Sequence, residues 1–189
     1  MRIVAAALLL SSAASKACLI SSEPSIVAKS TAVTDSSIVG RWVQAPDSQK
    51  TITDTVTIVR DTTAPANDPR YLYMVEEERG PGQYDLRLTR ISGALFGELT
   101  PFESDMPFGA APTHFFFRID KTNSQLVVRA MDPDWLTKYV AQHPGRVSTV
   151  TRGDWIVIVG STSATRQFLA STLEAPGAYS STTQYERVP

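Results

Sequence analysis

From Ile38 onward, apolar and polar residues alternate in short runs separated by turn residues. "SIVGRWVQ" is the first run, "TITDTVTIVR" the second, and "RYLYMVEEE" with "QYDLRLTRI" forms a hairpin around "RGPG". In "QYDLRLTRI", Tyr84, Leu86 and Leu88 fall on one face and Asp85, Arg87 and Thr89 on the other, a strand with a core side and a wet side. "GALFGELTPF" follows, then a proline-interrupted loop, then "THFFFRID" and "QLVVRAM" as a second hairpin. Phe115, Phe117 and Ile119 share one face there, and His114, Phe116 and Arg118 the other. "STVTR", "WIVIVG" and "TQYERV" complete eight to ten strands. Sequential hairpins without regular strand–helix alternation predict a mainly β, antiparallel sheet closed into a barrel, because closure removes exposed edges.

Two helices interrupt the strands. "MDPDWLTKYVAQHP" places Asp132 at an N-cap, Pro133 at the first helical position and Asp134 in the first turn, where negative charge is favoured. At about 100° per residue, Trp135, Tyr139, His143, Leu136 and Val140 fall within a sector of about 140°, an apolar stripe expected to lie on the barrel. His143 precedes Pro144 and Gly145, which end the helix. Asp132 and His143 are separated by about 16 Å of helix, so a His–carboxylate pair must recruit its acid from elsewhere. The second helix is expected over Ser163–Leu173.

The N-terminus carries Arg2, an apolar run from Ile3 to Leu10, and then small residues, the pattern of a secretory signal peptide. The run is too short for a permanent membrane span. Ser15 and Ala17 place the expected cleavage before Cys18, the sole cysteine, and the segment resembles the lipobox of bacterial lipoproteins. Residues 1–17 are therefore expected as signal peptide, 18–37 as a lipidated end and flexible tether, and 38–189 as the barrel domain. Acyl chains on Cys18 would contribute about 0.8 kcal/mol per buried methylene and anchor the chain without a transmembrane helix.

Composition narrows the function. Net charge is -1, from 18 basic and 19 acidic side chains, which disfavours nucleic acid as a partner. One cysteine and two histidines exclude an intrachain disulfide and zinc ribbons, and neither a metal nor a cofactor is expected. No nucleophile elbow, phosphate loop, His-Glu-x-x-His or dinucleotide fingerprint occurs, so no catalytic residues are assigned. Glu76, Glu77 and Glu78 alternate in direction along a strand end and cannot converge on a cation. His114 is expected as a packing or hydrogen-bonding residue at a strand end.

"VGRWV", "FRID", "MDPDWL", "TSATRQFL" and the terminal "YERVP" resemble, in order and spacing from Val39 to Pro189, a group of uncharacterised bacterial lipocalin-like lipoproteins. The resemblance implies a lipocalin-like barrel on a lipid anchor and supplies no reaction. In the lipocalin pattern, a Gly-x-Trp on the first barrel strand and an Arg near the end of the last meet at the closed end; Gly40, Trp42 and Arg187 match those positions. The expectation is a non-enzymatic envelope lipoprotein, anchored to a membrane (the outer one, by the resemblance of Leu19 to a sorting signal), binding a small apolar or lipid-like ligand. Phe115, Phe117, Trp135, Tyr139 and His143 are its candidate lining or lid residues. The alternative is a structural or protein-interaction lipoprotein with a filled barrel and an envelope protein as partner. A third reading, a hydrolase pairing His143 or His114 with a barrel carboxylate, ranks below both.

Overall fold

The computed structural model describes residues 19–45, 54–76, 82–101, 113–153 and 155–188; Cys18 and the signal segment lie outside them, as do Glu77 and Glu78. The described residues form β1 (Leu19–Ser22), β2 (Gly40–Gln44), β3 (Thr55–Arg60), β4 (Tyr71–Glu76), β5 (Gly82–Ile91) and β6 (Ala94–Pro101). They continue with β7 (His114–Lys121), β8 (Gln125–Ala130), α1 (Pro133–Gln142), β9 (Ser148–Arg152), β10 (Trp155–Val159), α2 (Thr162–Thr172) and β11 (Ser181–Arg187).

Strands β2 to β8 form the expected antiparallel meander. Strand β11 then returns, after both helices, to lie between β8 and β2. The result is a closed eight-stranded antiparallel barrel of lipocalin-like form, with three further strands outside it.

Those three strands make a fork in the wall. The second half of β7, from Arg118 to Lys121, pairs with β8, while its first residues pair with β1 through Ser21 and Ser22. Strand β1 runs parallel to β10, and β10 forms a hairpin with β9. The segment expected as a flexible tether is thus part of the fold. Leu19 opens a strand, Ile26 is 0% exposed, and a turn over Ser36–Ile38 leads into β2. Its Ser- and Thr-rich composition shows no period because its apolar residues pack against different elements: Ile20, Ile26, Val27 and Ala32 join the outer core and Val33 the barrel core, while hydrogen bonds to distant strands fix the path.

Inside the barrel, alternate residues of every strand meet. Trp42, Val56, Ile58, Tyr71, Tyr73, Leu86, Leu88, Leu99, Ile119 and Tyr185 belong to one buried cluster. Phe117 lies across Gly97, its cross-strand partner: a Cβ on Gly97 would stand 2.6 and 2.8 Å from two ring carbons. Only glycine leaves room for that ring.

Outside the barrel is a second core. Phe96 and Phe116 point outward from β6 and β7 and meet Leu136 of α1, Phe168 and Leu169 of α2, Ile158 of β10 and Ile26 of the N-terminal arm. Strands β6 and β7 are therefore buried on both faces, which accounts for their near-continuous apolar runs. Tyr179 joins this core edge-on to Phe96, with its hydroxyl 3.3 Å from Thr172 Oγ1. Burial, only partly offset by that hydrogen bond, pushes its phenol up to about 12.

Replacing Gly97 by Ala should cost about 1–3 kcal/mol in urea unfolding, and Phe117→Leu in the same chain should recover part of it, since the two residues share one volume. Tyr179 binds its proton more tightly folded than unfolded, so its contribution to stability is complete below pH 10 and is lost as pH rises towards about 12. Unfolding free energies of the wild type and Tyr179→Phe, compared between pH 9 and 12, should diverge by about 2–3 kcal/mol, with the wild type losing more.

Candidate functional site

The barrel mouth is where a ligand would enter a fold of this kind. The inward residues of the strands are buried to the level of Gln44, Tyr84 and Thr183, each at most 9% exposed. Half-exposed inward positions, among them Pro101, Phe115 and Ala130, occur where the strands meet the mouth. Phe115 stands there edge-on to Trp155 of β10, ring centroids 5.2 Å apart. Ser21, which pairs across from Phe115, is fully buried, and its hydroxyl has no hydrogen-bond partner.

The opposite end carries the Gly-x-Trp and Arg arrangement. The Arg187 guanidinium carbon lies 4.7 Å from the centroid of the Trp42 ring, and the same side chain donates to the carbonyls of Ser37 and Val39 at 2.6 and 3.1 Å. Trp42 Nε1 donates to the Ile38 carbonyl at 2.8 Å. Gly40 adopts φ 146° beside both side chains, a conformation that favours glycine. With Arg187 exposed, the cation–ring contact contributes about 0.5–1 kcal/mol. These three residues are architecture.

Of the five candidate lining or lid residues, Phe115 and Phe117 belong to the barrel, while Trp135, Tyr139 and His143 lie outside it on α1. The structure does not bring the two groups together, because α1 leaves β8 and crosses the outer wall. Leu136 is the fully buried residue of this helix; Trp135 and Tyr139 are half-buried and His143 is exposed. The three rings stack in a ladder, with centroids 4.9 and 4.3 Å apart. His143 caps the C-terminus, its backbone N–H donating to the Tyr139 carbonyl, and Gly145 turns the chain at φ 83°. At the N-terminus, Asp132 accepts the Trp135 N–H at 2.8 Å and the Ser180 hydroxyl at 2.5 Å. Burial raises the affinity of Asp132 for its proton, but these hydrogen bonds outweigh it and hold the carboxyl below its ordinary pKa.

A polar cluster absent from the sequence reading lies in the outer wall. Glu98 of β6 is 1% exposed. Its Oε2 accepts the Ile26 N–H at 2.5 Å, and its Oε1 accepts the Ser25 hydroxyl at 2.7 Å. His114 Nδ1 lies 3.3 Å from Glu98 Oε1 and 3.2 Å from Thr100 Oγ1. From the other side, Thr162 Oγ1 donates to the Ser25 carbonyl at 2.8 Å, and Arg166 Nη1 to the Ile26 carbonyl at 2.7 Å. Arg166 also donates to Thr89 Oγ1 and to the Arg90 carbonyl. Here is the His–carboxylate pair that α1 lacks, but both carboxylate oxygens are occupied by the N-terminal arm. The geometry fastens a segment rather than moving a proton. One signal for it was present in sequence: Glu98, a charged residue, shares the outward face of its strand with the apolar Phe96.

Among the described residues, no group of three or more His, Cys, Asp or Glu side chains is placed to hold a metal, and no helix is long and apolar enough to cross a membrane. The fold and its closed end define the chain as a lipocalin-like barrel with an outer wall fastened to its own N-terminal arm. No protein-family model, curated protein or solved structure matches it.

Glu98→Ala should cost about 2–4 kcal/mol in chemical unfolding, since it orphans a buried amide and removes a serine hydrogen bond. Amide exchange at Ile26 should accelerate in that variant more than exchange in β2 and β3, which lie across the barrel from β6.

Proposed function

We propose that the chain is an exported lipoprotein, anchored to the cell envelope through Cys18, whose filled barrel is a rigid interaction module and not a container. The observation carrying this reading is the interior itself. Trp42, Tyr71, Tyr73, Phe117 and Tyr185 occupy the barrel together, each at most 4% exposed, where a cavity for a drug-sized ligand of about 300 Å³ or more would leave its lining accessible. The signal-like segment and the lone cysteine at its end support export and anchoring. With Leu19 already in β1, acyl chains on Cys18 would hold the barrel against the lipid surface without a spacer.

A second reading, a small apolar ligand with one hydrogen-bonding group seated at the mouth, is favoured by the unpartnered Ser21 hydroxyl beside Phe115. Native mass spectrometry and solvent extraction of protein purified from its own host distinguish the two: the interaction reading expects no stoichiometric small molecule. A bound molecule released by Ser21→Phe would replace it. Anchoring is checked separately by Cys18→Ser, which should move the protein from the membrane to the soluble fraction and remove acyl mass from its N-terminal peptide.

A further inference from the structure

Strand β6 at one end of the strand order closes onto β7, but β9 at the other end pairs with β10 alone. It is the one described strand with a neighbour on a single side. Strand edges in folded proteins are commonly blunted by proline, charged side chains or a bulge. The sequence of β9, Ser-Thr-Val-Thr-Arg, carries no proline, its one charged residue, Arg152, is the last of the strand, and the strand is exposed except at Thr149. Val150, at 38% exposed, is the exposed large hydrophobic residue of the described chain.

Which backbone groups face outward follows from the hairpin. Arg152 and Trp155 flank a two-residue turn, which makes them a hydrogen-bonded pair; pairing then alternates, so Val150 and Val157 are also hydrogen-bonded. The N–H and C=O groups of Thr149 and Thr151 therefore point to the open edge. We propose that this edge is an interface for a second copy of the chain, with β9 pairing antiparallel to β9 about a two-fold axis at Val150.

The strand is self-complementary in that register. Each Thr149 meets Thr151 of the other copy as a hydrogen-bonded pair, making four backbone hydrogen bonds in all by the geometry of such pairs. The two Val150 side chains meet at the axis as a non-hydrogen-bonded pair, where side chains approach most closely. Charge does not oppose this register: each Arg152 faces an uncharged Ser148, and its guanidinium is already paired with Glu23 of its own chain at 3.1 Å. No like charges oppose each other. The contact is a single five-residue strand from each copy, so association in solution is weak and gains from confinement on a membrane. The proposal deepens the interaction reading and rests on it for its setting, while its test reads strand pairing directly.

The test uses the full chain in a Cys18→Ala background, so that introduced cysteines are the only ones. Under mild oxidation Val150→Cys should form a covalent dimer, and Thr149→Cys or Thr151→Cys alone should not. Mixing the latter two should give the heterodimer. Sedimentation equilibrium of the cysteine-free chain should show monomer and dimer, and Val150→Lys should weaken association about tenfold or more by opposing two like charges. A chain monomeric at every concentration, a dimer indifferent to Val150→Lys, or equal crosslinking at all three positions would each overturn the proposal. Failure on any of these counts leaves the Cys18→Ser fractionation and the ligand analysis untouched, so it is separable from failure of the interaction reading.

Discussion

A carboxylate taken out of water must be surrounded by donors, and Glu98 shows how much structure that constraint organises. Its outward position on β6 would be intolerable beneath two helices if the arm did not bring the Ser25 hydroxyl and the Ile26 amide to it. In turn, the carboxylate, Thr162 and Arg166 fix the path of that arm and set Ile26 and Val27 into the outer core. Once fixed, it delivers β1 to the fork in β7 and gives β10 a strand to pair with. The outer sheet is thus assembled from a polar contact on an otherwise apolar wall.

The two cores divide the labour between shape and attachment. The inner one fills the barrel with large aromatic side chains and depends on local accommodations such as the bare Cα of Gly97 beneath Phe117. The outer one covers β6 and β7 with α1, α2 and the arm, so the barrel wall is shared between two packed layers. The candidate lid residues of α1 are absorbed by this arrangement: His143, with Asp132 at the other end, bounds the helix, and Trp135 and Tyr139 cover part of the outer layer.

Much of the barrel was legible in the chain because its rules are local. Alternation in Tyr84, Leu86 and Leu88 gave the faces of β5, the Asp132-Pro133 pair gave the start of α1, and Gly40, Trp42 and Arg187 marked the closed end. What escaped was non-local. Leu19–Ser22 has no signature of a strand, since its partners lie in β7 and β10, and the Glu98–His114 contact joins residues that neither periodicity nor spacing relates. The apolar residues on both faces of "ALFGEL" and "HFFFRI" were not read as a wall covered on both sides, and that covering is the feature that turns the expected tether into a packed segment.

The pairing of β1 with β10, and of β2 with β11, has a consequence for the order in which the molecule can be made. Leu19 finds its parallel partner only at Trp155, and Trp42 meets Arg187 only when the last strand arrives. Contacts of such long sequence separation form slowly and late. A chain emerging from its N-terminus can assemble the β2–β8 meander early, but neither the seam nor the fork can close until nearly the whole polypeptide is present. Topology alone therefore keeps the nascent chain open until synthesis is almost complete, and makes the last few residues a checkpoint for the first.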